Sequence, residues 1–518
     1  MHRLSQGFLL AAALSRVAGV TGLTPDEWRN QSIYQVVVDR FARTDLSTMA
    51  PCNPDAQVYC GGTWRGLISK LDYIQDMGFT AVWISPVVKQ IDGNSRDGSS
   101  YHGYWAQDIW ALNPAFGTEA DLRELSDSLH ARGMYLMVDI VTNHMAHLGC
   151  RSCVDYGRLN PFNSPSHYHS PCGIDYTDQR SVEVCWQGSD IVSLPDLKTE
   201  DNYVRGVFNE WIAKMVSAYS VDGLRVDSAK HVETSFWSNF SAATGGMYML
   251  GEVFHGDPSY VADYQRYFDG VTDYPSYYWI LRAFQSTNGS VGELVSGLNS
   301  LRGMALDPSL YGSFLENHDV ERFPSFTQDK AIAFTMLKDG IPIIYQGQEQ
   351  HYAGAGTPRN REALWLSGYA TNSEFYQWIT KLNRIRSRAI AQSADYLSYK
   401  AHPIHSDDHA IVMRKGTPGY QVVAAFTNIG ASSSATVTLS SSATGFGANE
   451  ELVDVMGCAA YTTDGSGSIT VSLDNGLPRV LYPTARLTGS GICPDLTGPS
   501  ASTSAPVAAP TSGPRNSG

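Results

Sequence analysis

The stretch Val221-Asp222-Gly223-Leu224-Arg225-Val226-Asp227-Ser228-Ala229-Lys230-His231 decides how this chain is read. An apolar strand pattern ends in charge, and a helical segment, Val204 to Tyr219, runs straight into it. Arg225 and Asp227 stand two apart, so a strand turns both to one side and Leu224 and Val226 to the other. Helix, turn and short apolar strand make one beat of a parallel α/β fold. A carboxylate at a strand's C-terminal end, beside a fixed cation, has the arrangement of a reaction centre. Taken alone, such a pair reads equally well as a buried structural ion pair.

The beat recurs on both sides. Ile33 to Val38 reads as a first strand. Thr63 to Met77 reads as a helix with Leu67, Ile68, Leu71 and Ile74 on one face, and Gly78 ends it before the apolar strand Phe79 to Ile84. Thr118 caps a helix carrying Leu122, Leu125 and Leu129, with Asp121 placed for a capping box. Gly133 and the strand Met134 to Val141 follow. Ala331 to Lys338, Gly340 and Ile341 to Tyr345 repeat the order. Near-continuous apolar strands are buried on both faces, as in parallel sheets. About 370 residues of this rhythm suit a (β/α)8 barrel with insertions. A doubly wound open sheet is the alternative, weakened because no G-x-G-x-x-G follows an early strand.

Between about 145 and 198 the rhythm breaks into a Tyr-, His-, Pro- and Ser-rich segment with four cysteines, read as an excursion from the barrel. Beyond 399, short strand candidates at 410–413, 421–426, 434–439 and 468–473 predict an antiparallel β-domain. From about 499 the chain is Ser, Thr, Pro, Ala and Gly, a linker or tail.

The chain has 518 residues, 43% of them hydrophobic, ample for a large core. Its net charge of −14 argues against nucleic-acid or anionic-membrane partners. Residues 1–22 read as a secretory signal: Arg3, an apolar core from Phe8 to Leu14, then small residues to Gly22. Export fits the eight cysteines. Cys52 and Cys60 close one loop, Cys172 and Cys185 another, and Cys458 and Cys493 bracket a strand-rich segment. Cys150 and Cys153 form a C-x-x-C pair, read as a tight disulfide because no second pair lies near for a zinc site. Asn30, Asn239 and Asn288 open N-x-S sequons.

Polar residues cluster where strands end: 101–105, 139–144, Arg225 and Asp227, 251–253, and 314–319. Asp227, Glu252 and Asp319 form the set that glycoside chemistry needs. One carboxyl must stay protonated for the leaving oxygen, and another must be an ionised nucleophile. Arg225 is expected to keep Asp227 ionised, and the apolar neighbours of Glu252 to raise its pKa. Asp227 is then nucleophile, Glu252 acid/base and Asp319 a charge stabiliser. His102, His144 and His318 are donors for hydroxyls, and Tyr104, Trp105 and Phe254 offer flat faces for sugar rings. Asn143, Glu183 and Asp196 supply the oxygen ligands that calcium prefers, and such an ion would pin the excursion to the barrel.

At these residues the chain resembles the fungal secreted members of the α-amylase family of glycoside hydrolases. The resemblance rests on Asp139-Ile-Val-Thr-Asn-His144, Gly223-Leu-Arg-Val-Asp-Ser-Ala-Lys-His231, Gly251-Glu-Val253 and Phe314-Leu-Glu-Asn-His-Asp319, with Ser193-Leu-Pro-Asp-Leu197 in the excursion. It covers about 23–498. It implies a (β/α)8 TIM barrel over 23–398, an inserted B domain at 145–198 and a C-terminal antiparallel β-sandwich at 399–498. It implies endo-hydrolysis of α-1,4-glucosidic bonds in starch and malto-oligosaccharides, with retention, by a secreted monomer. Asp227, Glu252 and Asp319 keep their roles. Arg225, His102, Tyr104, His144, His318 and Arg361 match residues that hold the sugar at the cleavage point, and Trp105, Lys230 and Gly256 match further substrate contacts. The resemblance maps Ca2+ to Asn143, Glu183, Asp196 and His231, with Glu183 and His231 contributing backbone carbonyls. Thr357 stands where close relatives carry a donor-side aspartate, Met249 replaces a cysteine of theirs, and Cys150 and Cys153 have no counterpart. A 4-α-glucanotransferase and a non-catalytic carbohydrate-binding protein of the same fold are the rival readings. The presence of His144, His318 and all three carboxylates favours the hydrolase.

Overall fold

Eight short parallel strands wrap into a barrel. They are β1 (Ile33–Val36), β2 (Ala81–Ile84), β3 (Tyr135–Ile140), β4 (Gly223–Val226), β5 (Met249–Gly251), β6 (Gly270–Val271), β7 (Gly312–Ser313) and β8 (Ile341–Tyr345). The computed structural model describes residues 22–323 and 328–497, so the expected secretory signal and tail lie outside the described residues. Ile33 of β1 faces Ala81 of β2 on one side and Ile343 of β8 on the other. A parallel bridge between Thr272 and Gly312 joins the β6 and β7 edges and closes the ring. Every residue of β1, β2, β4, β5 and β8 is buried, as strands covered on both faces must be.

The opening beat has a local cause at each end. Asp201 caps the helix Asn202–Tyr219 by accepting from the amides of Tyr203 and Val204. Ser220 ends it in the left-handed region, and β4 follows. Gly223 cannot be larger: a Cβ there would lie 2.5 Å from the Trp28 ring, which donates Nε1–H to the Asp222 carbonyl and plugs the barrel floor. Thr118 and Asp121 form the expected capping box on the helix Glu119–His130.

Several expected boundaries move. The first strand ends at Val36, because Val38–Phe41 turns into a short helix. The helix expected over 63–77 breaks at Ser69-Lys70 into Trp64–Ile68 and Leu71–Asp76. A hairpin of Val88–Gln90 with Ala106–Leu112 flanks the 90–100 loop and was not foreseen. The excursion is a folded unit, with a three-stranded sheet in the order 147–148, 192–194, 187–188 and a helix Gln179–Val184. The disulfides 52–60, 150–153, 172–185 and 458–493 form as read.

The C-terminal strands are β9 (His402–Ser406), β10 (Ala410–Lys415), β11 (Val422–Thr427), β12 (Ser434–Leu439), β13 (Glu451–Asp454), β14 (Ala459–Thr462), β15 (Ile469–Asp474) and β16 (Arg479–Pro483). They make an antiparallel sheet in the order β9-β10-β11-β16-β13-β14, with β12 paired to β15. Val412, Val423, Val437, Leu439, Val471 and Leu473 fill the core between the two. Phe426 meets Phe334 of the barrel edge on, with ring centroids 5.2 Å apart.

Candidate active site

Arg225, 1% exposed, is the hub of the barrel mouth. In register, it lies opposite Asp139 of β3. Its Nη1 donates to both Asp139 oxygens, at 2.9 and 3.0 Å, and to Asp227 Oδ1 at 2.8 Å. Its Nη2 pairs with Glu252 Oε1 at 2.7 Å. One guanidinium therefore faces carboxyls from three neighbouring strands, β3, β4 and β5. Ser228, held at φ 49°, donates its amide to Glu252 Oε2 at 3.0 Å, which ties the end of β4 to the end of β5.

One positive charge cannot balance three buried carboxylates. Burial pushes Asp227 up to about 8; Glu252 and Asp139 push the same way and Arg225 opposes. Asp139 is pushed up to about 6 by burial, against Arg225 and the Tyr104 hydroxyl. Arg225 thus pulls Asp227 toward the ionised form as expected, against burial and two further carboxyls. Carboxyls this close to one another titrate as a group rather than one residue at a time.

Asp319 lies across the mouth. Arg361 Nη2 donates to its Oδ1 at 3.1 Å, and His318 Nε2 is 3.1 Å from its Oδ2. Its amide donates to Asn317 Oδ1 at 2.8 Å. The Tyr104 ring stacks on His318 at 5.2 Å, and its hydroxyl donates to Asp139 at 2.8 Å. His102 Nδ1 accepts from the Tyr104 amide, which leaves Nε2 as the protonated nitrogen. Burial lowers the pKa of His102, His144 and His318, so all three act as neutral imidazoles. Trp105 meets His102 edge on at 4.6 Å.

The remaining contact candidates line the other flank. Lys230 Nζ donates to the Phe254 carbonyl at 2.9 Å and sits 5.1 Å from the Tyr176 ring centroid. Phe254, 38% exposed, lies flat on Tyr274 at 4.3 Å. Gly256 stands against Tyr278. Asp139 is the functional neighbour that sequence reasoning passed over, together with Trp83, Tyr274 and Asn317. Trp83 donates to Asp139 at 3.1 Å, and Asn317 donates to the Tyr274 hydroxyl at 3.1 Å. Asp139 did carry a signal, a lone charge inside an apolar strand.

Three of the candidate metal ligands, Asn143, Asp196 and His231, converge beside β3. His144 Nε2 donates to the Tyr104 carbonyl at 3.1 Å, so a neutral ring must accept at Nδ1 from the Asn143 amide nitrogen at 3.2 Å. Asn143 Oδ1 then points at the His231 carbonyl, 2.9 Å away, and at Asp196 Oδ1, 3.1 Å away. Three oxygens meet with no proton between them, and a hard cation is what such a set fits. Turning the amide over would satisfy the oxygens, but it would set an unprotonated His144 Nε2 against a carbonyl. His169 Nδ1 holds the other Asp196 oxygen at 2.7 Å. Glu183 spends its carboxylate on Gln179, at 3.0 Å within its own helix, while its backbone carbonyl lies in the last turn, where helical carbonyls lack internal partners. Among the described residues no three His, Cys, Asp or Glu side chains converge as a metal group. Asp196 is the one such side chain among the three oxygens.

The model of the alpha amylase catalytic domain matches residues 35–410, and that of alpha-amylase domain C matches 403–500. "Alpha-amylase 2" of Schwanniomyces occidentalis is 51% identical over 472 residues, covering 90% of this chain and 92% of that protein. "Alpha-amylase" of Saccharomycopsis fibuligera is 48% identical, covering 88% and 92%. The solved structure of an alpha-amylase from Malbranchea cinnamomea superposes with a TM-score of 0.88 at 49% identity, covering 91% of this chain and 100% of that one.

Proposed function

Since this chain belongs to the alpha-amylase family of glycoside hydrolases, we propose that it is a secreted, endo-acting enzyme that cleaves internal α-1,4-glucosidic bonds of starch and malto-oligosaccharides with retention. The observation that carries the reading is the single guanidinium of Arg225 bound to both Asp227 and Glu252. It holds a nucleophile and a proton donor side by side.

Asp227 attacks the anomeric carbon while Glu252 passes its proton to the departing glycosidic oxygen. The bond from that carbon to oxygen breaks, and the fragment with the new non-reducing end leaves as an alcohol through its 4-hydroxyl. Glu252, now a carboxylate, takes a proton from water, and the water oxygen displaces Asp227. Asp319, fixed by Arg361 and His318, faces the positive charge that develops on the sugar ring. His102, Tyr104, His144 and His318 hold the ring at the cleavage point. Trp105 stacks on one side, and Lys230 and Gly256 contact sugars on the other.

Calcium fits the oxygen set of Asn143, Asp196 and the His231 carbonyl, and the family resemblance adds the Glu183 carbonyl. Bound there, it would supply charge that ties the 145–198 excursion to the barrel, and no bond-making step passes through it. The exposed sequon asparagines Asn30, Asn239 and Asn288 and the disulfides support an exported glycoprotein. Among the described residues no helix is long and apolar enough to cross a membrane.

Time-resolved product analysis on soluble starch tests the reading. Early mixed oligosaccharides and rising reducing ends are expected. Lengthened malto-oligosaccharides with little reducing sugar would make the protein a 4-α-glucanotransferase.

A further inference from the structure

A second groove lies away from the carboxyl cluster, on the outside of the barrel. It runs between the strand Ala106–Leu112 and the helix Asn202–Tyr219, with a volume of about 190 Å³. Trp110, Trp211 and Tyr219 form its aromatic walls, and Leu112, Met215 and Ala218 are among the other lining residues. None of these residues takes part in the site described above.

Three features narrow what could lie there. Trp110 is 40% exposed, a large flat ring presented to solvent on a strand whose neighbour Ile109 is buried. The rim carries charge without a net field. Lys214, 4.9 Å over the Trp110 ring, pairs with Glu210, and Arg123, 5.5 Å over the Tyr219 ring, lies 3.8 Å from Glu119. Two matched pairs offer hydrogen bonds but select neither anion nor cation. The volume is below the roughly 300–1,000 Å³ of sites for drug-sized molecules, so it suits one or two small rings. Flat apolar walls with a neutral, hydrogen-bonding rim are the chemistry of a pyranose face.

The groove is also joined to the cleft by a short length of chain. Trp105, at the cleavage site, and Trp110 lie on one run of extended chain, roughly 17 Å apart at strand rise. A polymer held in the cleft has further segments, and further strands of the same material, within reach of this wall.

We infer that the groove of Trp110, Trp211 and Tyr219 is a non-catalytic binding site for one or two glucose units of an α-glucan, anchoring the enzyme to polymeric substrate. The inference rests on the glucan-hydrolase reading above.

The test compares the parent with Trp110→Ala and with Ala218→Gln, which fills the groove with a good helix former and removes no packing. Retention is read by native electrophoresis through gels containing amylopectin, in a Glu252→Gln background so that the gel is not digested. Activity is read in the otherwise unaltered enzyme on maltopentaose, and melting curves report folding. Both variants should weaken retention about fivefold or more, while kcat/KM on maltopentaose stays within about twofold. Unchanged retention in folded variants, or an equal loss on maltopentaose, overturns the groove site and leaves the hydrolase reading standing. A parent that neither binds amylopectin nor cleaves starch overturns both.

Discussion

Replacing Asp139 with Asn removes one charge from the cluster and almost no volume. Asp139 and Asp227 both bind Nη1 of Arg225, at 2.9 and 2.8 Å, so their oxygens are neighbours across one nitrogen. Two charges roughly 5 Å apart at an effective dielectric of about 20 interact by about 3 kcal/mol, or about two pK units. Charge sharing with Arg225 reduces this to about one to two units. The sign follows from the cluster. Carboxylate neighbours raise Asp227, so neutralising one of them lowers the pH at which the shared proton leaves. The alkaline limb of the kcat/KM profile on maltoheptaose should therefore move acidward by about one to two units. Activity at the optimum should also fall about tenfold or more. The new amide keeps its oxygen on Tyr104 and Trp83, which leaves its NH2 against the Arg225 guanidinium, a donor, and the lost hydrogen bond between charged partners is worth about 1.5–3 kcal/mol. An alkaline limb that stays in place, or moves upward, would refute the shared-proton argument.

Other perturbations reach other parts of the account. Glu252→Gln should cut kcat on starch about 10²–10⁴-fold, with a melting temperature close to the parent's, read by reducing-sugar assay and calorimetry. Removing divalent ions with a chelator should lower stability by about 2–4 kcal/mol and the melting temperature by several degrees, restored by calcium, if Asn143, Asp196 and the two carbonyls hold the ion. Gly223→Ala should destabilise by about 1–3 kcal/mol through overlap with Trp28, visible as a lower denaturant midpoint at unchanged slope.

The legible parts of the sequence were those set by short-range geometry. Arg225 and Asp227 are two apart, and strand periodicity puts them on one side. The capping box at Thr118 and the strand Ile341–Tyr345 were readable for the same reason. The Asp139–Arg225 pair was not, because it depends on the register of β3 against β4, 86 residues apart. Barrel strands β5, β6 and β7 are two or three residues long and too short to show a period. The local neighbour of Asp227, Arg225, was visible in the sequence, while its burial and the nearness of Asp139, which raise its pKa, were not.

The central claim is that Asp227 carries the sugar between the two half-reactions while Glu252 handles the proton. It is tested most directly by trapping. The enzyme is incubated with a fluorinated α-glucosyl fluoride that slows release, then digested and analysed by mass spectrometry. The account predicts one glycosyl adduct, on the peptide containing Asp227, formed far more slowly in Asp227→Asn. An adduct on Glu252, or turnover with no covalent species and inverted product anomers, would contradict it.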